Sequence, residues 1–196
     1  MMQEKLPKTL PDILTLPGLL LRNASKFKER IAIREKELGI WKEIAWDEYL
    51  QQVRYLALGL VEVGLKKGDT VSVISDNRPE WMYAELAVMV VGGMPLSLFP
   101  DSEDLDAIHY LLDFSDTRFV FAEDQEQTDK VLALKSRLPK LEKIFVDDIH
   151  ELWSCDDPML VSYKNIVDMG FEKYRTAPDL FENMIRKLES DDVAML

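Results

Sequence analysis

Short apolar runs alternate along the chain with longer segments whose hydrophobic residues recur at helical spacing. The clearest case is the stretch 64–100, GLKKGDTVSVISDNRPEWMYAELAVMVVGGMPLSLFP. Thr70 to Ile74 is a short run rich in β-branched residues, which predicts a buried strand. Trp81 to Val91 is apolar on nearly all sides and predicts a covered helix, and Met94 to Leu98 predicts a second strand. Two strands joined through a helix form a parallel β-α-β unit.

The turn before this central helix contains residues that favour a helix start. We predict Asn77 as the N-cap, with Pro79 in the first turn and Glu80 three residues after the cap, as in a capping box. Gly92 and Gly93 should end the helix, because glycine adopts the left-handed C-terminal conformation without strain.

The same alternation extends over most of the chain. Helices are predicted over 16–27, 47–63, 102–114, 124–138, 162–169 and 178–188, and strands over 30–34, 40–45, 118–122 and 143–146. Residues 147–160 are predicted to be a polar loop, and a further strand should begin at Val193. We predict helix caps at Ser102, Asp124 and Ser162. The fold class is therefore α/β, a mainly parallel sheet flanked by helices, with an N-terminal arm, helix and β-hairpin.

Composition narrows the classes of partner and compartment. The chain has 196 residues, 47% of them hydrophobic and 31% charged, as in an ordinary globular domain. Its net charge of −12 gives little attraction for nucleic acid or anionic membrane surfaces, so we expect no nucleic-acid partner. Cys155 is the sole cysteine, which excludes an internal disulfide and fits a cytoplasmic location.

No segment of the sequence has the pattern of a membrane or secretion signal. The N-terminal residues lack a basic start followed by a continuous apolar core. The most apolar stretch, Leu86 to Phe99, has 14 residues and contains two glycines and a proline, whereas a membrane-spanning helix needs about 20 residues.

Several ordered motifs resemble the N-terminal part of the AMP-forming acyl-CoA synthetases, the adenylate-forming family. They are GLKKGDTV at 64–71, DNRPEW at 76–81, the Gly-Gly pair leading to Pro100, FAEDQEQ at 121–127, LPKL at 138–141, DDPMLVSY at 156–163 and DDVAML at 191–196. The resemblance covers nearly the whole chain and is greatest to the bacterial long-chain fatty acid–CoA ligases. Members of this family usually carry Thr or Ser where Ala45 stands, while its capping partner Glu48 is present here.

The resemblance implies a domain organisation and a reaction for a parent protein. Residues 1–15 would be an extended arm, and 16–196 an α/β segment, an incomplete part of the large N-terminal AMP-binding domain, truncated before the phosphate loop. The parent would convert fatty acid, ATP and CoA to acyl-CoA, AMP and pyrophosphate, using Mg²⁺. Its partners would be the remainder of the ligase chain, the fatty acid, and a second copy paired through Met1 to Thr15. The parent would be cytoplasmic, or peripheral to the inner face of the membrane.

The resemblance implies that the phosphate loop, the adenine-contacting motif, the magnesium-binding Glu, and the hinge and lysine of the C-terminal domain all lie beyond the position of Leu196. We therefore assign no catalytic, cofactor-binding or metal-binding residue, and expect no ATP, Mg²⁺ or CoA on this segment. It would act as a scaffold and be inactive in isolation.

Other residues with chemical potential have ordinary structural interpretations. His109 lies in a predicted helix without a nucleophile pattern, and His150 lies in a polar, acidic loop typical of solvated surface. Cys155 has no basic neighbour in sequence and should be an ordinary thiol. The turn 76–81 is the best functional candidate, because it follows a strand end where open α/β sheets bind ligands, although helix capping also explains its residues.

The apolar residues of the central helix and the function of the chain both admit alternatives. Trp81, Met82 and Met89 at helical spacing are interpreted as core rather than as an acyl pocket. Two other functions are considered: a stand-alone acidic α/β module that acts through a protein partner, and an adenylating relative that uses a different carboxylic acid. The sequence that follows Leu196 in the gene would separate the first from the ligase interpretation.

Overall fold

The computed structural model describes residues 15–147 and 157–196, and these confirm the predicted α/β fold class. The helices are α1 (Leu16–Phe27), α2 (Trp46–Glu62), α3 (Pro79–Val91), α4 (Leu105–Phe114), α5 (Gln125–Leu134), α6 (Tyr163–Thr176) and α7 (Leu180–Arg186). The strands are β1 (Ile31–Glu37), β2 (Ile40–Ala45), β3 (Thr70–Ile74), β4 (Met94–Leu98), β5 (Thr117–Ala122), β6 (Lys143–Val146) and β7 (Leu160–Ser162). The predicted arm lies, apart from Thr15, outside the described residues.

Strands β3 to β7 form one parallel sheet in the order β4-β3-β5-β6-β7. Strands β1 and β2 form a separate antiparallel hairpin, as predicted, with its turn at Leu38 and Gly39. Strand β7 was not predicted, because only three residues of a polar stretch pair with β6. A segment this short carries no readable periodicity.

Two hydrophobic clusters cover the two faces of the sheet. Val71, Val73 and Phe121 face a larger cluster formed with α1, α2, α3, α6 and α7. Ile74 and Val120 face a smaller cluster formed with α4 and α5. Successive strand residues point to opposite faces, so strands buried on both sides must be apolar throughout, as β3, β5 and β6 largely are.

Helices α2 and α6 approach each other closely at two glycines. A Cβ atom on Gly59 would lie 2.0 Å from the carbonyl oxygen of Ile166, and one on Gly170 would lie 1.7 Å from that of Tyr55. The predicted end of the sixth helix at Met169 is therefore wrong, since Gly170 lies buried inside a helix that continues to Thr176. Gly170 therefore allows α2 and α6 to pack closely and does not end the helix.

The start of α3 differs from the predicted capping box. Arg78, not Asn77, is the N-cap residue, and it makes no side-chain cap bond. A residue that precedes proline is disfavoured in the helical region, and Arg78 is accordingly extended with φ −113° and ψ 159°. Pro79 becomes the first helical residue, so Glu80 lies too early to complete a capping box. Gly92 ends the helix at φ +83°, as predicted.

Caps of the other helices are partly as predicted. Asp124 caps α5 by accepting a hydrogen bond from the backbone N–H of Gln127 at 3.0 Å. Ser162 occupies the N-cap position of α6 but makes no side-chain cap bond. The predicted cap at Ser102 is wrong: Asp104 caps α4, accepting from the N–H groups of Asp106 and Ala107 at 3.0 and 3.1 Å. A carboxylate can satisfy two N–H groups at once.

The last described residues are not a regular strand, contrary to the prediction. They nevertheless reach the outer edge of β4, where the N–H of Leu196 donates to the carbonyl of Pro95 at 3.0 Å. Lys67 and Asp192 form an ion pair at 2.6 Å that holds this segment beside the loop before β3. Within the part of the chain that the structure describes, no helix is long and apolar enough to cross a bilayer.

Candidate functional site at the carboxyl edge of the sheet

The chain's topology creates a crevice between β3 and β5. The connection that leaves β3 runs through α3 on the face of the larger cluster, whereas the connection that leaves β5 runs through α5 on the opposite face. Open α/β sheets bind ligands outside the carboxyl ends of neighbouring strands whose connections diverge in this way. The predicted functional turn, 76–81, lies at this crevice.

Polar residues directly after three neighbouring strands meet at the crevice. Ser75 and Asp76 follow β3, Glu123 follows β5, and Asp147 follows β6. A carboxylate oxygen of Glu123, Oε2, accepts hydrogen bonds from the N–H of Asp76 at 2.6 Å and from the hydroxyl of Ser75 at 3.1 Å. Glu123 therefore fills the crevice with the protein's own carboxylate and ties the ends of β3 and β5 together.

Arg78 lies above this carboxylate and contacts three acids. Its Nη1 atom is 3.2 Å from Asp147 Oδ2 and 3.4 Å from Glu123 Oε1, and its Nε atom is 3.7 Å from Glu80 Oε2. Partial burial opposes the positive charge, but the coulombic attraction of Asp147, Glu80 and Glu123 outweighs it and raises the pKa of Arg78. The guanidinium is thus attracted by three carboxylates, but its contacts with them are longer than ideal charge-assisted hydrogen bonds.

A small cavity lies beside this network, and two buried polar atoms near it lack a hydrogen-bond partner among the described residues. Its wall includes Val73, Glu80, Phe121 and Tyr163. The two atoms are the hydroxyl oxygen of Tyr163 and Oε2 of Glu80. Burial raises the pKa of Tyr163 well above its usual value, with Glu80 and Asp147 adding to the effect, so its phenol stays protonated and can donate a hydrogen bond.

The size of this cavity limits what it can hold. It encloses about 20 Å³, which is room for one water molecule and far below the roughly 300 Å³ of a small-molecule site. A second, open cleft of about 950 Å³ separates the β1–β2 hairpin from residues 76–82. Its walls carry both charge signs, including Arg34, Glu35 and Arg78.

The chemistry of the carboxyl edge does not fit a nucleotide triphosphate. The four carboxylates of Asp76, Glu80, Glu123 and Asp147 outnumber the one cation of Arg78, which gives a local formal charge of −3. Phosphates need converging N–H groups or cations instead. Among the described residues, no group of three or more His, Cys, Asp or Glu side chains is arranged to hold a metal ion.

The residues singled out from the sequence occupy structural positions where they are described. The Nε2 atom of His109 lies 3.2 Å from the carbonyl oxygen of Arg137, which links α4 to the 3₁₀ turn Lys135–Arg137 that follows α5. His150 and Cys155 lie outside the described residues. Met89 is buried, as predicted for a core residue.

Of the two other apolar residues of α3, Met82 departs from the core interpretation, whereas Trp81 packs against the larger cluster. Met82 is 40% exposed, so its assignment to the core is wrong. Trp81 is half-buried, and its indole N–H donates to Ser97 Oγ at 2.9 Å, which in turn donates to Glu85 at 2.6 Å. The chain turns Met82 outward because α3 packs through Tyr83, Ala84 and Ala87 instead.

Sequence reasoning missed three residues of the carboxyl edge: Glu123, Asp147 and Tyr163. A signal for two of them was present, because Glu123 and Asp147 directly follow predicted strands, and parallel strands end at a common edge. Tyr163 had no such signal, since β7, the strand that it follows, was not predicted.

Comparison with known proteins assigns this chain to a family. Residues 20–196 match the family described as AMP-binding enzyme. Long-chain-fatty-acid–CoA ligase heimdall of Drosophila melanogaster is 27% identical over 192 residues, which cover 93% of this chain and 27% of the relative. Long-chain-fatty-acid–CoA ligase ACSBG2 of Xenopus laevis is 24% identical, covering 83% of this chain and 21% of the relative. The chain thus spans about a quarter of the length of these relatives.

Solved structures show the same fold. A long-chain-fatty-acid-CoA ligase from Archaeoglobus fulgidus superposes with a TM-score of 0.72 at 18% identity, covering 93% of this chain and 34% of that one. A didomain of carboxylic acid reductase from Segniliparus rugosus, in complex with AMP, gives a TM-score of 0.69 at 14% identity, covering 80% and 26%. With the family match extending over residues 20–196, this chain belongs to the AMP-binding enzymes.

Proposed function

We propose that this chain is the N-terminal scaffold segment of an AMP-forming long-chain fatty acid–CoA ligase. The observation that carries the proposal is the unequal coverage of the match: a relative named as such a ligase aligns with 93% of this chain, while the chain covers only 27% of the relative. The chain therefore corresponds to a part of the ligase and would contribute structure to a larger catalytic unit.

The parent reaction has two steps in this proposal. Fatty acid and ATP first give an acyl-adenylate and pyrophosphate, and the thiol of CoA then displaces AMP to form acyl-CoA. Mg²⁺ would neutralise phosphate charge in the first step. Because the carboxyl edge described above is acidic, we assign the binding of triphosphate, Mg²⁺ and CoA to the remainder of the ligase chain.

The role of this segment would be to hold the α/β layer against which the remainder of the chain folds. Its support is the sheet itself, which is covered on both faces by apolar clusters and closed at the carboxyl edge by Glu123. In isolation the segment should not catalyse adenylation, since its acidic carboxyl edge does not fit the triphosphate.

The first experiment is to read the source gene beyond the codon for Leu196. We expect an open frame that continues into a Ser/Thr/Gly-rich loop ending in Pro-Lys-Gly. A stop codon at this point would contradict the ligase assignment and favour a module that acts through a protein partner.

A biochemical experiment tests the scaffold role directly. Fatty acid-dependent exchange of pyrophosphate into ATP is measured for the 196-residue chain and for the full-length product of the gene. We expect exchange with hexadecanoate for the full-length protein and none for the segment. Exchange by the segment alone would overturn the scaffold role, and a preference of the full-length protein for benzoate or octanoate would overturn the long-chain assignment.

We also propose that the parent is a cytoplasmic protein that associates peripherally with the inner face of the membrane and pairs through residues 1–15. The support for pairing is the resemblance to long-chain ligases that dimerise through N-terminal arms. Light scattering of the full-length protein with and without residues 1–15 tests it. We expect a dimer that becomes a monomer on deletion, and an unchanged mass would contradict the pairing.

A further inference from the structure

The tip of the β1–β2 hairpin exposes three large apolar side chains in a row. Leu38, Ile40 and Trp41 are 97%, 70% and 61% exposed, and they are separated only by Gly39. Leu38 adopts a positive φ of +47°, a conformation that a branched side chain rarely takes. An apolar tip of this kind, built on an unfavourable backbone conformation, is not what solubility alone would favour.

The charges of the hairpin neutralise one another. Arg34 pairs with Glu43 at 3.0 Å, and Lys42 pairs with Glu37. The ammonium group of Lys36 lies 5.9 Å from the centroid of the Trp41 ring, directly across the strand pair. The hairpin carries three basic and three acidic side chains, so it is formally neutral on a chain whose net charge is −12.

The shape of the tip argues against a protein as its partner. A stable protein interface buries about 800 Å² on each side and needs complementary shape, which three side chains on a convex turn cannot supply. A second copy could pair along the hairpin edges, but charged residues occupy positions 34–37 of β1 and 42–43 of β2, and charges on an edge disfavour such pairing.

A lipid bilayer requires no complementary shape. The backbone groups that face each other across the hairpin are paired, and those on its two outer edges can bond to water in the hydrated headgroup region. Tryptophan favours this region, and lysine stems can extend from it toward water. A neutral hairpin on an acidic protein matches a zwitterionic surface better than an anionic one.

We propose that Leu38 to Trp41 dock the protein on a zwitterionic phospholipid surface. This inference rests on the proposed function, because a long-chain fatty acid resides in bilayers and its ligase gains by working at their surface. The open cleft of about 950 Å³ beside the hairpin runs from Trp41 to Arg78 and Glu123. Docking at the tip would thus place the carboxyl edge of the sheet near the lipid.

Co-sedimentation of the full-length product of the gene with phosphatidylcholine vesicles tests the docking, because the remainder of the ligase is then in place beside the tip. The tip variant combines Leu38→Gly with Ile40→Ser; glycine suits the positive φ, so this change should not unfold the hairpin. We expect the partition coefficient to fall at least about tenfold, since two apolar side chains leave the interface. The matched control, Tyr110→Ser with Phe114→Ser on α4, removes two side chains that are 61% and 77% exposed and should leave binding unchanged.

Each other outcome has a defined meaning. Absence of vesicle binding by the wild-type chain, full binding by the tip variant, or an equal loss in the α4 control would overturn the proposal. Stronger binding to vesicles with phosphatidylserine would overturn the preference for a zwitterionic surface. A wild-type dimer that the tip variant disrupts without lipid would identify a protein contact instead.

Ligase activity is measured separately from vesicle binding. Pyrophosphate exchange by the full-length protein, with soluble fatty acid and no vesicles, reports ligase activity independently of docking, and the tip variant should retain it. Vesicle binding without exchange would sink the ligase assignment and leave the docking surface. Exchange without vesicle binding would support the ligase assignment and overturn the docking proposal.

Discussion

The amino and carboxyl edges of the parallel sheet each contain an arginine among carboxylates, and the two arginines are bonded differently. At the amino edge, Arg118 donates through Nε and Nη2 to both oxygens of Glu142 at 2.7 and 3.0 Å. Its Nη1 donates to Asp69 at 2.5 Å and to the carbonyl of Gly64 at 2.7 Å. At the carboxyl edge, the ion-pair distances of Arg78 are 3.2 to 3.7 Å.

The difference shows which edge depends on an arginine for its stability. The fork of Arg118 matches a carboxylate in two parallel bonds, and its side chain is 21% exposed. Arg78 is 36% exposed and lies over a carboxylate, Glu123, that is already bonded to backbone and hydroxyl donors. The amino edge is therefore locked by an arginine, whereas the carboxyl edge is held by an acid and leaves its arginine loosely bound.

The largest effect is expected from Arg118→Met, which keeps the stem but removes every donor. We expect a loss of about 2 to 3 kcal/mol in the free energy of unfolding, below the usual cost for a fully buried pair because Glu142 is half exposed. Urea denaturation measures it. Arg118→Lys is the control, which keeps the charge and should lose about half as much; equal stability of the methionine variant and wild type would contradict the lock.

The carboxyl edge is tested next by Glu123→Gln. The amide can keep one acceptor for the N–H of Asp76 but loses the charge that Arg78 and Ser75 face. We expect a loss of about 1 to 2 kcal/mol. Glu80→Gln serves as the control and should cost less, because Oε2 of Glu80 has no hydrogen-bond partner among the described residues. A larger cost for Glu80→Gln would show that Glu80, not Glu123, holds this edge.

A substitution far from both edges is expected to raise the free energy of unfolding, in contrast to the losses above. Ala45 is the N-cap residue of α2, and Glu48 Oε2 accepts from its N–H at 3.0 Å, so half of a capping box is present. Ala45→Thr supplies the missing acceptor and should raise the free energy of unfolding by about 1 kcal/mol. Ala45→Val, which has the same shape without the hydroxyl, is the control in the same urea series. An equal gain from valine would rule out capping as the cause.

The smallest effect is expected from Arg78→Met. Partly exposed ion pairs at such distances contribute little, so the loss should stay within about 0.5 kcal/mol. The ratio of this loss to that of Arg118→Met is the sharpest measure of the comparison. Losses of equal size would show that the two edges depend equally on their arginines, which would contradict the difference between Arg118 and Arg78.

The sequence predicted β3, β4, β6 and α1 with the bounds that the structure shows. The three strands are short, mostly apolar segments, and α1 has apolar residues on one side, so local pattern decides all four. Prediction failed where two local signals competed. Ser102 and Asp104 were both adequate caps for α4, and Asn77 lost its role because Pro79 fixed the first helical residue.

The candidate site could be predicted only in outline. The turn 76–81 was placed correctly at a strand end, but its role depends on Glu123, Asp147 and Tyr163, which lie 42 or more positions further along the chain. Such contacts depend on the order of strands in the sheet. That order places β3 between β4 and β5, so that the residues after β3 and β5 lie side by side. No local pattern encodes that order.

The sequence by itself determined the α/β class, the parallel sheet, the acidic charge and the family resemblance, because periodicity, composition and ordered motifs are properties of the chain in one dimension. The tertiary structure alone decided the close contact of Gly59 and Gly170. It also decided that Arg118 makes short bonds to its carboxylates, whereas Arg78 makes longer ones. The physical reason is distance. Packing and ion pairing act over a few ångströms in space, and the residues they join lie far apart in the sequence.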